Sequence, residues 1–147
     1  MDAMVSRREA LAAGGACVGL ALCGCSSQHH QEAMITTGVV NLGPAADYPA
    51  GSATTKWMQQ YGIVVVNQSG VVVAIRPKCT HNGCLAKWDD DHQEFDCPCH
   101  GSRFDMLGRV IKGPAKKPLP AEGTQPGPGG TITVDLGKLY AMSSGEG

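Results

Sequence analysis

Two short boxes between positions 79 and 100 of this 147-residue chain hold six soft metal donors, and they constrain it more than any other feature. Cys79, His81 and Cys84 lie in "CTHNGC"; Cys97, Cys99 and His100 lie in "CPCHGS". Three chemistries use thiols and imidazoles at such spacings. Structural zinc takes Cys and His two to four residues apart, but needs only four of them, which leaves a surplus pair. A thiol–disulfide catalyst uses Cys-x-x-Cys, whereas the second box has Cys-x-Cys with no helical pattern after it. The third is a 2Fe–2S cluster ligated by two cysteines and two histidines.

The two boxes together resemble those of the Rieske iron–sulfur family, Cys-x-His-x-Gly-Cys and Cys-x-Cys-His-Gly-Ser. In that family about 15 residues lie between the histidine of the first box and the first cysteine of the second, and here residues 82–96 separate His81 from Cys97. The resemblance implies one 2Fe–2S cluster, with Cys79 and Cys97 on one iron and His81 and His100 on the other. It implies a Cys84–Cys99 disulfide stapling the two loops, as in the high-potential branch of the family. It makes Ser102 a hydroxyl donor to a bridging sulfide, and makes "GPAKKPLP" (113–120) a cover over the cluster, with Lys116 where quinol-oxidising members often have Pro. High-potential members usually carry Tyr where this chain has Phe104. Gly83 and Gly101 are the positions where tight turns would let the backbone approach the sulfides.

The rest of the chain reads as all-β. Apolar content of 42% supports a core, while 20 glycines and 9 prolines supply many turns. "GIVVVNQSGVVVAI" (62–75) is a β-hairpin: two β-branched runs flank a turn. "MITTGVVNL" (34–42) predicts a first strand, "HQEFDC", "SRFD" and "GRVIK" predict short ones, and "TITVDL" (131–136) predicts a closing edge strand. No segment shows a clear helical period. Trp88, Phe95 and Phe104 read as core, and Asp89 to Asp91 as a solvated turn. The expected fold is a small antiparallel barrel or sandwich with a cluster-binding subdomain, over residues 34–140, followed by a tail, 141–147.

The amino terminus reads as an address. "SRREAL" resembles the twin-arginine export motif, and the apolar run from Ala10 to Gly24 is shorter than the roughly 20 residues of a spanning helix. "LCGC" resembles a lipoprotein box that would lipidate Cys25. Residues 1–25 are thus expected to be an export signal and 26–33 a polar tether, in which His29 and His30 are inert. A disulfide needs an oxidising compartment, which agrees with export to the periplasmic side of the membrane.

The expectation is one-electron transfer, as the iron–sulfur subunit of a quinol–cytochrome c reductase-type complex. Its partners would be cytochromes of the b and c types and quinol, with the membrane reached through a lipid anchor or the N-terminal segment. The alternatives are the small subunit of a periplasmic oxidase such as arsenite oxidase, or a stand-alone periplasmic carrier. The chain offers no substrate site of its own, and a net charge of −1 argues against nucleic acid.

Overall fold

The computed structural model describes residues 34–144, with side chains to residue 140. The expected export signal, the tether and Cys25 lie outside the described residues. Eleven strands form three antiparallel sheets. One holds β1 (Val39–Pro44), β11 (Thr131–Asp135) and β10 (Gln125–Pro126), in the order β1-β11-β10. A second holds β2 (Ser52–Thr54), β3 (Val64–Gln68), β4 (Val71–Ile75) and β9 (Ala121–Gly123), in that order. The third is a meander of β5 (Lys87–Asp89), β6 (Glu94–Asp96), β7 (Arg103–Asp105) and β8 (Val110–Lys112). Helices are few: α1 (Met58–Tyr61) and α2 (Leu136–Ser144).

The valine run of β3 is continuous because both of its faces are buried. Val64 and Val66 enter a core with Ile75, Phe95, Phe104 and the two box cysteines Cys79 and Cys97. Their neighbours Ile63 and Val65 enter a second core with Leu42, Val134, Leu136 and Leu139. Strand alternation thus sends one side of the hairpin sheet to each core. Complete burial of such a side chain stabilises by about 1.5–3 kcal/mol, so Val64 to Val66 hold the two halves together. The hairpin is the one expected. Gln68 pairs with Val71. Both turn residues have positive φ, 54° at Ser69 and 90° at Gly70, as a two-residue type I′ turn requires.

Three readings need correction. The first strand begins at Val39, not at 34, since the chain reaches the sheet only after Gly38, whose φ is 88°. "TITVDL" forms a central strand: β11 lies between β1 and β10, and its buried residues Ile132 and Val134 alternate with half-buried ones. Helices exist where none was expected. Asp135 Oδ1 accepts the Lys138 N–H at 3.2 Å as an N-cap, and Leu136, Leu139 and Tyr140 recur at helical spacing. That pattern follows a strand directly and contains Gly137, which masks it. The helix runs through residue 140, where the domain was expected to end.

Candidate metal centre

The two boxes fold into loops of the same design. In the first, the Cys79 N–H donates to the Cys84 carbonyl at 2.7 Å and the Gly83 N–H to the Cys79 carbonyl at 2.8 Å. In the second, the Cys97 N–H donates to the Ser102 carbonyl at 2.8 Å and the Gly101 N–H to the Cys97 carbonyl at 2.9 Å. Each loop therefore closes over six residues by the same pair of bonds. Gly83 and Gly101 occupy equivalent positions, and both have φ of 71°, a conformation that disfavours any side chain. The second loop joins β6 to β7, and the first is tied down by the Lys78–Leu85 bridge and by the Ala86 N–H donating to the Pro77 carbonyl at 2.8 Å.

This folding sorts the six donors into three pairs. Cys79 and Cys97 are unbonded thiols, 2% and 3% exposed, at the inner side of the loops. His81 and His100 are exposed, with ring centroids 4.8 Å apart and planes at 82°. Cys84 and Cys99 are joined by a disulfide with an S–S distance of 2.10 Å. The sulfurs of Cys84, Cys97 and Cys99 lie within 4.8 Å of one another. Two of those three are bonded to each other, so the trio offers a metal only one thiolate. Burial pushes the Cys97 thiol up, and the neighbouring Cys79 adds to this, against the backbone N–H groups of Cys99 and His100 that point at its sulfur. A thiol in that setting ionises readily only against a cation. Two buried thiols beside two exposed imidazoles, with the surplus thiols locked away, fit a 2Fe–2S cluster of mixed ligation better than a zinc ion.

The 113–120 segment contacts both loops. The Ala115 N–H donates to Ser102 Oγ at 3.0 Å, and both residues are buried. That bond occupies an oxygen lone pair and leaves the Ser102 hydroxyl proton for another acceptor. The Thr80 hydroxyl donates to the Lys117 carbonyl at 2.6 Å. The cover is thus tied to one loop through Ser102 and to the other through Thr80, a residue the sequence reading passed over. Its position between Cys79 and His81 was the available signal. Behind the second loop, Arg103 pairs with buried Glu94, and its Nε lies 3.4 Å from Asp96 Oδ1. Asp96 Oδ1 has no aligned hydrogen bond, so that contact is an ion pair only. Trp88 stacks edge-on against Phe95 at 4.9 Å and donates to Asp90 at 2.6 Å. Asp89 caps the following turn, accepting from the Asp91 and His92 N–H groups at 2.9 and 3.2 Å.

The profile of the Rieske [2Fe-2S] domain matches residues 38–123. The chain belongs to that family, and its cofactor is one 2Fe–2S cluster. It is 35% identical over 80 residues to the cytochrome b6-f complex iron-sulfur subunit of Chlorobaculum thiosulfatiphilum, covering 54% of this chain and 44% of that one. The corresponding subunit of Chlorobaculum tepidum is 38% identical over 78 residues, covering 53% and 43%. The chain thus spans less than half the length of these curated relatives. Among solved structures, the cyanobacterial plasma membrane Rieske protein PetC3 from Synechocystis is 39% identical, with a TM-score of 0.49, covering 65% of this chain and 98% of that one.

Proposed function

We propose that this protein moves single electrons as the iron–sulfur subunit of a quinol–cytochrome c reductase-type complex. The observation that carries the reading is the sorting of the six donors: two buried thiols, two exposed imidazoles and one disulfide, on twin loops. The relatives described as cytochrome b6-f complex subunits support it. In this reading Cys79 and Cys97 would hold one iron, and His81 and His100 the other. When bound, the 2Fe–2S cluster supplies a one-electron couple, whose potential neutral imidazoles raise relative to thiolates. The protein's own residues do the rest. The Ser102 hydroxyl proton, left available by the Ala115 bond, would be offered to the bound cluster, and the disulfide keeps both loops in register. His81 and His100 face outward, where a ring nitrogen meets a quinol hydroxyl or a cytochrome. The test is the spectrum of the dithionite-reduced protein. A Rieske-type electron paramagnetic resonance signal with two irons and two labile sulfides is expected; stoichiometric zinc without sulfide would overturn the reading.

The address belongs to the same proposal. The twin-arginine-like motif, the lipobox-like "LCGC" and a disulfide that needs an oxidising compartment support export and attachment to the membrane through Cys25 or the N-terminal segment. No helix among the described residues is long and apolar enough to cross a membrane. Cys25→Ser should move the protein from the membrane fraction to the soluble periplasm; retention in the membrane would favour an uncleaved segment.

A further inference from the structure

Charge is unevenly placed on this nearly neutral chain. The segments that build the cluster end, 77–87, 97–102 and 112–119, carry Lys78, Lys87, Lys112, Lys116 and Lys117 and no carboxylate. All five lysines are exposed. The ion pairs among the described residues use His92, Arg103 and Arg109, and do not involve Lys78, Lys87, Lys112 or Lys116. Sheet register shows how the asymmetry arises. Lys87 pairs with Asp96 and Arg103 with Lys112, so one row across β5 to β8 adjoins the ligand loops. That row holds one acid, the half-buried Asp96, and it faces Arg103. Asp89, Asp90 and Asp91 lie at the far end of β5, on the turn away from the loops.

Within this lysine rim stand the two exposed imidazoles. Apolar surface is exposed beside them at Leu85, which is 57% exposed and follows the first loop, at Pro98 on the second, and at Pro114 on the cover. An apolar centre with a charged rim is the composition of a protein-binding face. Cations around an electron exit, four of them in no ion pair among the described residues, speed encounter with an anionic partner without a tight hold, as turnover requires.

We propose that the lysine-rimmed histidine end is the docking face for an acidic surface on the redox protein that exchanges electrons with the cluster. This inference rests on the electron-transfer reading above. The test is stopped-flow oxidation of the reduced holoprotein by two protein probes of opposite charge, an acidic plastocyanin and a basic mitochondrial cytochrome c. Salt is raised until the Debye length falls from about 30 Å to below about 8 Å. The rate with plastocyanin should fall about tenfold or more, and the rate with cytochrome c should not fall. The double variant Lys78→Glu/Lys116→Glu should lose the plastocyanin salt dependence, while Lys138→Glu, on α2 against the second core, should keep it. A salt-independent rate, or a double variant that behaves like Lys138→Glu, overturns the proposal. So does binding of wild type, but not the double variant, to phosphatidylglycerol vesicles combined with salt-independent electron transfer, which would make the face a membrane surface. A preparation with no reducible cluster signal sinks the underlying electron-transfer reading instead.

Discussion

Phe104→Tyr tests how the core tunes the cluster. Phe104 is fully buried, pairs with Phe95 across β6 and β7, and shares a core with Cys79 and Cys97. It stands two residues after Ser102, whose carbonyl accepts the Cys97 N–H at 2.8 Å. The ring therefore lies in the core that holds both buried thiols, and the acceptor expected for a para hydroxyl is one of their sulfurs. A hydrogen bond to a charged group is worth about 1.5–3 kcal/mol. Reduction adds negative charge, so the bond strengthens in the reduced state. If about 1–2 kcal/mol of it differs between the two states, the one-electron potential rises by roughly 40–90 mV. Protein-film voltammetry measures this directly. Thermal unfolding provides the control. A hydroxyl buried without an acceptor costs about 1–3 kcal/mol, and the extra atom adds packing strain. A lower midpoint temperature with an unchanged or lowered potential would show that the ring points away from the sulfurs and would refute the reasoning. The wild type, lacking the donor, is expected to suit a low-potential quinol such as menaquinol.

Three further outcomes are expected. Cys84→Ser removes a staple with a sequence separation of 15, which stabilises by about 3 kcal/mol in the chain-entropy account, so cluster loss in denaturant should accelerate without a ligand being removed; wild-type kinetics would refute the staple's role. Ser102→Ala leaves the buried Ala115 N–H without its acceptor and should cost about 1–3 kcal/mol, more than the roughly 1 kcal/mol for Thr80→Val at the exposed tie; hydrogen exchange across 113–120 should rise in both variants, and equal protection to wild type would show that the cover is held elsewhere. The Asp89–His92 contact of 2.9 Å holds His92 above its ordinary 6.5 and Asp89 below its ordinary 3.8, chiefly through that hydrogen bond. The His92 contribution is complete below 6.5 and fades as pH rises through its folded value; the Asp89 contribution holds above 3.8 and fades as pH falls through its own. In an NMR titration, Asp89→Asn should bring the His92 midpoint down toward 6.5, and no movement would refute the pairing.

The boxes were readable because cluster chemistry restricts residue type and spacing at once. Few other purposes call for two thiols, two imidazoles and a further pair of thiols at those spacings. The 62–75 hairpin was readable because its turn and its β-branched runs are local. What escaped depends on tertiary placement. β11 reads as an edge because it is the last strand in the chain, yet it is central because β1, distant in sequence, covers its other side. The α2 helix escaped because Gly137 and a strand without a break before it obscured an Asp135 cap. Thr80 had only its place between Cys79 and His81 to mark it, and Ala115 only its place in the cover, since a hydroxyl tie and a backbone N–H acquire a role only when the cover folds back onto the loops.

The same contrast bears on which parts of the site can change. The paired loop-closing bonds, the glycines at 71° and the buried thiols depend on one another. A substitution at any of them disturbs a loop whose geometry must match that of its twin. The lysines are under no such restraint: they are exposed, and four of them take part in no ion pair among the described residues. Replacing an exposed, unpaired cation usually alters stability by less than about 0.5 kcal/mol. Four such lysines around one electron exit, with Asp89 to Asp91 at the other end of the sheet, can therefore set the choice of partner at little cost to the fold. Cluster retention and partner choice should separate in mutants: loop-glycine variants should lose the cluster, while rim-lysine variants should keep it and change only the rate and its salt dependence.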